Sequence, residues 1–297
     1  MRSRGFAIFA LLMVQLLYGL NYTLAKIVMN ENYVKPFALT VLRVGGAAIL
    51  FWIISLWLPK EKIERKDYFK FFIAAVFGVA INMLFYIKGV ELTTPIHASA
   101  IITINPVLIL LLSALILKEK VTGIKIVGLV LALCGALSLT LFGESDRSGD
   151  NVLLGNTFIF INSIFYSVYI ILIKQLTAKY HPFTFIKWLF LFGFFMVLPF
   201  GYNELGTIQW EAFTPYVYFL ILFVVVGATF GTYLLNPIAL NKLKASTVGI
   251  FIYLQPVIAG LFAILMGADR IDGLKVVAML LIFTGVYLVS QKSKTSN

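Results

Sequence analysis

The sequence predicts an all-α integral membrane protein in which ten transmembrane helices form two five-helix repeats of inverted topology. Of its 297 residues, 61% are hydrophobic and 12% are charged, whereas soluble domains carry about 25% charged residues. Apolar segments of about 20 residues recur along the whole chain, and each is long enough to cross the bilayer as a helix. The sequence also aligns with itself at a shift of 150, which places Pro106 on Pro256.

Ten segments have the apolar length that a transmembrane helix requires. The first could alternatively be a signal peptide behind Arg2 and Arg4, but the repeat requires it as a helix. No connection is long enough for a soluble domain, and P-loop, zincin and nucleophile-elbow patterns are absent, so we expect no enzyme, no cofactor and no metal site. The spans are predicted at about residues 5–29, 36–58, 69–90, 96–117, 122–142, 152–174, 183–201, 214–240, 245–266 and 273–291.

The net charge of +11 is explained by membrane topology rather than by nucleic acid binding. With the N-terminus inside, seventeen lysines and arginines fall on the inner side and five on the outer side. Because positive residues concentrate on the cytoplasmic side of membrane proteins, both termini are predicted to lie in the cytoplasm. The predicted location is the cell membrane, inner or plasma, crossed many times.

The internal repeat divides the chain into residues 1–142 and 152–297. Residues 85–139 align with 235–289 without a gap, and the alignment places Glu119 on Asp269. Each half holds five predicted helices, which is an odd number, so the second half enters the membrane from the opposite side. Such inverted repeats recur in secondary transporters, where the substrate lies between the halves.

The first and second spans each contain one cation. Lys26 lies near the outer end of the first span, where its ammonium can reach the interface along its apolar stem. Arg43 lies seven residues after Pro36, which places it about 10 Å along its helix. Its guanidinium could meet a substrate carboxylate, or pair with an acid or with helix-end carbonyls.

Polar side chains form stripes at helical spacing on the other spans, at Asn162, Tyr166 and Tyr169 of the sixth for example. Several recur at equivalent positions of the two halves, as Asn82 and Thr232 do. The alternative is that these residues join helices by hydrogen bonds, worth about 0.6 kcal/mol each. For the set as a whole we favour a central cavity, with candidate substrate-binding residues Tyr22, Arg43, Asn82, Tyr86, Asn105, Tyr166, Tyr169, Asn236 and Gln255.

The fourth and ninth spans each carry an amide beside a proline, in INPV and LQPV. A proline leaves the carbonyl four residues earlier without its helical partner, so both helices are expected to be weakened near mid-membrane. Pro106 and Pro256 are therefore candidates for gating. Lys26, Glu91 and His97 complete the coupling or gating candidates, the last two because they flank the outer turn before the fourth span, where a histidine could titrate or be an ordinary loop residue.

Three further residues are predicted to be structural. Glu119 is expected to cap the N-terminus of the fifth span, where an acid is favoured by the helix dipole. Gly128 and Gly135 give that span a small surface for close packing.

The stretches YGLNYTLAK, KPFALTVLR and NPVLILLLSALILKEKVTGIKIVGLVLALCGAL resemble the first repeat of the EamA family of the drug/metabolite transporter superfamily. The second half repeats this pattern more loosely, so the resemblance covers nearly the whole chain. This resemblance implies a secondary transporter of small metabolites such as amino acids. Many members of the family export their substrates, so the resemblance also favours an exporter. Its partners would be a small-molecule substrate and the lipid bilayer, with monomer or oligomer left open.

Other functions are compatible with parts of the pattern. A multidrug or other metabolite permease would use the same scaffold. A membrane enzyme acting on lipid-linked substrates would need acids or histidines clustered at one interface, whereas His97 and His181 fall on opposite sides. A structural protein gives no reason for a mirrored polar lining, and a channel would show uptake that does not saturate.

Overall fold

The computed structural model describes residues 4–30, 33–58, 60–93, 98, 101–141, 151–265 and 273–290. Within these ranges the chain is helical apart from its turns and connections, and they contain no strand. The main helices are α1 (Arg4–Asn30), α2 (Pro36–Ser55), α3 (Arg65–Leu92), α4 (Asn105–Ile116), α5 (Gly123–Leu141), α6 (Val152–Thr177), α7 (Pro182–Leu205), α8 (Pro215–Leu240), α9 (residues 245–265) and α10 (Gly273–Ser290).

Eight of these helices are long and apolar enough to cross a membrane, and α4 and α5 are shorter apolar helices. The protein is therefore an all-helical, multi-pass membrane protein. The fourth predicted span is interrupted, because residues 103 and 104 form a turn and α4 begins only at Asn105. Pro106 occupies the first turn of α4, where its missing N–H leaves no bond unmade.

Irregular backbone occurs at matching places in the two halves. Val76–Ala80 of α3 and Phe223–Gly231 of α8 are π-helical, and a shift of 150 places the first segment inside the second. The turn at residues 103–104 has its counterpart at the 3₁₀ segment Phe251–Tyr253 of α9, just before Pro256. Because a π-helical turn disturbs the i to i−4 ladder, it often marks a functional site.

Contacts between the halves are reciprocal. α1 packs on α8 and α9, while the equivalent helix α6 packs on the equivalent helices α3 and α4. α2 pairs with its equivalent α7, and α5 with its equivalent α10. The largest buried cluster joins aromatic side chains of both halves, among them Phe51, Phe71, Phe185, Phe190 and Tyr233.

The contact between α5 and α10 is made by small residues. A Cβ added at Gly128 would lie 2.8 Å from the carbonyl oxygen of Gly285, and one added at Gly135 would lie 2.6 Å from that of Ala278. Rising residue numbers in α5 thus meet falling numbers in α10, so the two helices run antiparallel. Small residues allow this close backbone approach, as the sequence predicts for α5.

Glutamates of one half cap helices of the other half. The backbone N–H of Ala38 in α2 donates to Glu204 (2.9 Å), and that of His181 at the start of α7 donates to Glu61 (3.0 Å). The prediction that Glu119 caps α5 is wrong, because its carboxylate accepts the N–H of Ala245 at the start of α9 (2.8 Å). The end of α4 and the start of α9 meet in space, which the local sequence does not reveal.

Candidate functional site

A polar cavity of about 100 Å³ lies where α1, α2, α3, α4, α6, α8 and α9 meet. Both halves contribute to its wall. Its polar members are amides, tyrosines and one arginine, and its apolar members are few. The lining residues are Tyr18, Asn21, Arg43, Asn82, Met83, Tyr86, Ile102, Asn105, Asn162, Tyr166, Tyr233, Ile252 and Gln255.

Arg43 is the cation of this cavity. Its side chain is almost fully buried, and its Nε donates to Thr229 Oγ1 (2.9 Å) in the π-helical part of α8. Thr229 in turn donates to the carbonyl of Val224 (2.7 Å). Across the described ranges no carboxylate lies within 4.0 Å of Arg43. Thr229 engages one of five guanidinium N–H groups, so the charge is held in place without being neutralised.

Two cavity amides offer acceptors that the described part of the chain leaves unused. The Oδ1 atoms of Asn21 and Asn105 are buried and have no hydrogen-bond partner among the described residues. Leaving a buried acceptor unpaired costs about 1–3 kcal/mol. Since both side chains line the cavity, a donor on a bound molecule would satisfy them.

Two other cavity amides also join helices. The Nδ2 of Asn162 in α6 donates to the backbone carbonyl of Asn82 in α3 (2.7 Å). The Nε2 of Gln255 in α9 donates to Oε1 of the buried Gln15 in α1 (2.8 Å). Each bond connects the first half with the second, so the cavity wall and the contact between the halves share side chains.

Gly78 contacts one tyrosine of the cavity wall, Tyr233, and one buried tyrosine behind the wall, Tyr169. The hydroxyl of Tyr233 donates to the Gly78 carbonyl (2.6 Å), and the ring of Tyr169 lies where a Cβ at this position would be. The Tyr169 and Tyr233 ring centroids are 5.6 Å apart. Gly78 belongs to the π-helical segment of α3, so this irregular turn contacts both aromatic side chains.

The structure brings six of the nine predicted binding residues to the cavity. Tyr169 is buried behind Gly78, and Asn236 is buried in α8, so neither lines it. The side chain of Tyr22 lies outside the described residues. The six that line the cavity are Arg43, Asn82, Tyr86, Asn105, Tyr166 and Gln255.

Of the predicted coupling and gating residues whose side chains the structure describes, the two prolines adjoin the cavity and Glu91 does not. Glu91 is exposed at the end of α3 and accepts from Lys88 (2.8 Å), away from the cavity. Pro106 and Pro256 follow the cavity residues Asn105 and Gln255 directly. The Lys26 side chain and His97 lie outside the described residues.

The predicted binding set omits Tyr18, Asn21 and three apolar cavity residues. Tyr18 is three residues after Gln15 and four before Tyr22, so helical spacing alone could have found it. Asn162 lies on the polar stripe of the sixth predicted span, and Tyr233 is at helical spacing from Thr229 and Asn236 in the eighth, but neither is among the nine. Met83, Ile102 and Ile252 could not have been identified as cavity residues from the sequence, because apolar residues are abundant along the whole chain. Among the described residues, no group of three or more His, Cys, Asp or Glu could hold a metal ion.

Several known proteins of similar sequence are named as transporters. The chain is 26% identical over 275 residues to an uncharacterized transporter of Archaeoglobus fulgidus, covering 93% of this chain and 95% of that one. It is 24% identical to the uncharacterized transporter YetK of Bacillus subtilis (84% and 76% covered) and 24% identical to a WAT1-related protein of Arabidopsis thaliana (94% and 84% covered).

A solved structure supports the fold. A crystal structure with 18% sequence identity superposes with a TM-score of 0.77 and covers 96% of each chain. The model of the EamA-like transporter family matches residues 5–141 and 153–291, which is nearly the whole chain in two parts. The resemblance found in the sequence is thereby confirmed, the archaeal and bacterial relatives are named as transporters rather than enzymes, and the chain belongs to the EamA-like transporter family.

Proposed function

We propose that this membrane transporter is a secondary carrier that binds a small zwitterionic metabolite, an amino acid first of all, in the central cavity. One observation carries the proposal: the cavity combines an arginine without a carboxylate partner in the described chain, Arg43, with the unused acceptors of Asn21 and Asn105. A carboxylate would accept hydrogen bonds from the guanidinium, and an ammonium group would donate to the amide oxygens.

The cavity wall also suits the remainder of such a substrate. Four tyrosines, Tyr18, Tyr86, Tyr166 and Tyr233, line the same space. Aromatic faces attract an ammonium group, and they accept an apolar or aromatic side chain equally well. A substrate with one negative end, one positive end and an apolar body therefore matches the lining.

We further propose that the protein works by alternating access between two inverted five-helix units, residues 1–142 and 152–297. The ten spans are the eight long helices together with α4 and α5. Support comes from the reciprocal contacts of equivalent helices, the antiparallel pair α5 and α10, and the matching π-helical segments. The breaks before Pro106 and Pro256 are the proposed hinges, since each adjoins a cavity residue in a discontinuous helix.

The proposed orientation places both termini in the cytoplasm of the cell membrane, because the inner connections carry most of the lysines and arginines. We expect a reporter inserted after Lys62 to respond as cytoplasmic and one inserted after Thr207 as external. Paired fusions with an enzyme active only outside and a fluorescent protein active only inside would measure this. Both reporters inverted would refute the proposed orientation.

The direction of transport is proposed as outward, on the family resemblance alone. Cells that express the protein are expected to resist toxic amino-acid analogues more than cells that express Arg43→Gln. Growth across a panel of amino-acid, nucleobase and drug analogues measures this. Resistance confined to cationic drugs, or equal growth on every compound, would contradict an amino-acid exporter.

A further inference from the structure

A second cavity, of about 400 Å³, lies at the opposite end of the α2–α7 pair from Ala38 and shares no residue with the central one. It is bounded by the end of α2, the connection that follows it and the start of α7. Its polar lining includes Ser55, Lys60, Glu61, His181, Thr184 and Lys187. By the proposed orientation this is the cytoplasmic surface of the membrane.

Lys60 and Lys187 are the two lysines of this cavity. The Nζ of Lys187 lies 4.9 Å from the ring centroid of Trp52 and donates to the Ser55 hydroxyl at 3.4 Å. In the described parts of the chain neither Lys60 nor Lys187 has a carboxylate within 4.0 Å. Glu61 shares the cavity, but it already accepts from the His181 N–H and from Thr184 Oγ1 (2.5 Å).

The wall beside these lysines has the composition of a membrane interface. Trp188 lines the cavity, and its ring lies 5.0 Å from that of Tyr68 and 5.1 Å from that of Trp52, centroid to centroid. Tryptophan and tyrosine concentrate at the level of lipid headgroups. Phe72 and Phe195 are exposed nearby on α3 and α7, where acyl chains would contact them.

We propose that this cavity binds the phosphate of an anionic phospholipid headgroup through the ammonium groups of Lys60 and Lys187. Lysine binds phosphate as a point charge, and basic pockets between helices on the cytoplasmic side hold anionic headgroups. The aromatic wall and the exposed phenylalanines accommodate the glycerol and the acyl chains. A soluble phosphate compound would bind the two lysines by the same charge attraction, but it would leave the apolar surface beside them uncovered. We therefore propose a lipid, and not a soluble phosphate compound, as the ligand.

Lipid binding by the purified full chain tests the proposal. Native mass spectrometry in detergent would compare phosphatidylglycerol, phosphatidylcholine and glycerol 3-phosphate as probes. The double variant Lys60→Gln/Lys187→Gln is expected to bind phosphatidylglycerol about 25-fold more weakly than the wild type, at about fivefold per lysine. The variant Lys120→Gln removes an exposed charge outside this cavity and should bind like the wild type.

The results of the binding experiment distinguish the proposed lipid site from its alternatives. Equal phosphatidylglycerol binding by the wild type and the double variant would overturn the proposal, as would equal loss in Lys120→Gln. Glycerol 3-phosphate bound as tightly as the lipid would overturn the lipid as the source. An unchanged melting temperature of the double variant without lipid shows that a loss of binding is not a loss of fold. The assay does not depend on the orientation of the protein in the cell.

Discussion

Replacing Arg43 by Gln is expected to reduce substrate flux by about 10- to 100-fold while the protein still inserts and folds. Hydrogen bonds to charged groups contribute about 1.5–3 kcal/mol each, and the variant loses the charge that would hold a carboxylate. The melting temperature should not fall, because an unpaired buried charge disappears and Gln can still reach Thr229. Flux into proteoliposomes and thermal unfolding in detergent measure the two quantities.

Two companion variants test whether the expected loss of flux in Arg43→Gln reflects lost substrate binding. Arg43→Lys keeps the charge but not the planar fork, so it should recover only part of the flux. Asn105→Leu removes an acceptor at the proposed ammonium site and should raise the substrate concentration for half-maximal flux. If Arg43→Gln lowered the melting temperature and left the flux of the folded fraction intact, Arg43 would be a helix-joining residue and not a ligand of the substrate.

Replacing Gly285 by Ala is expected to destabilise the protein by about 1–3 kcal/mol or more, the usual cost of overpacking. The added methyl would overlap the carbonyl oxygen of Gly128 and press on Ala132, so backbone as well as side-chain atoms of α5 would have to move. Thermal unfolding of the purified protein measures the effect as a lower midpoint.

Gly260→Ala is the matched control for this prediction. Gly260 also lies inside an apolar helix, but a Cβ there has nothing within 4 Å. Alanine is the better helix former by about 1 kcal/mol, so this variant should be neutral or slightly more stable. Equal midpoints for the two variants would contradict the close contact between α5 and α10.

The sequence predicted the helices and the polar face of the cavity, because both follow from spacing along one helix. The span expected at 214–240 is the helix Pro215–Leu240, and the amides beside Pro106 and Pro256 line the cavity. Each of these expectations needs only local information: apolar length, helical period, or the missing N–H of a proline.

What the sequence could not reveal depends on contacts between distant helices. Tyr169 lies on a polar stripe, yet it is turned into the protein because Gly78 leaves room for its ring. Glu119 caps a helix that begins 126 residues later. The two π-helical segments have no sequence signal of their own, although the one in α8 contains Thr229, the partner of Arg43.

The central claim is that the polar cavity holds a zwitterionic substrate during transport, and flux into proteoliposomes tests it most directly. Radiolabelled amino acids would be compared with their decarboxylated amines and their deaminated acids. The structure predicts flux that saturates with concentration, prefers the zwitterion over both analogues, and loses this preference in Arg43→Gln. Flux that rises linearly without saturation, or that treats the amine and the amino acid alike, would contradict it.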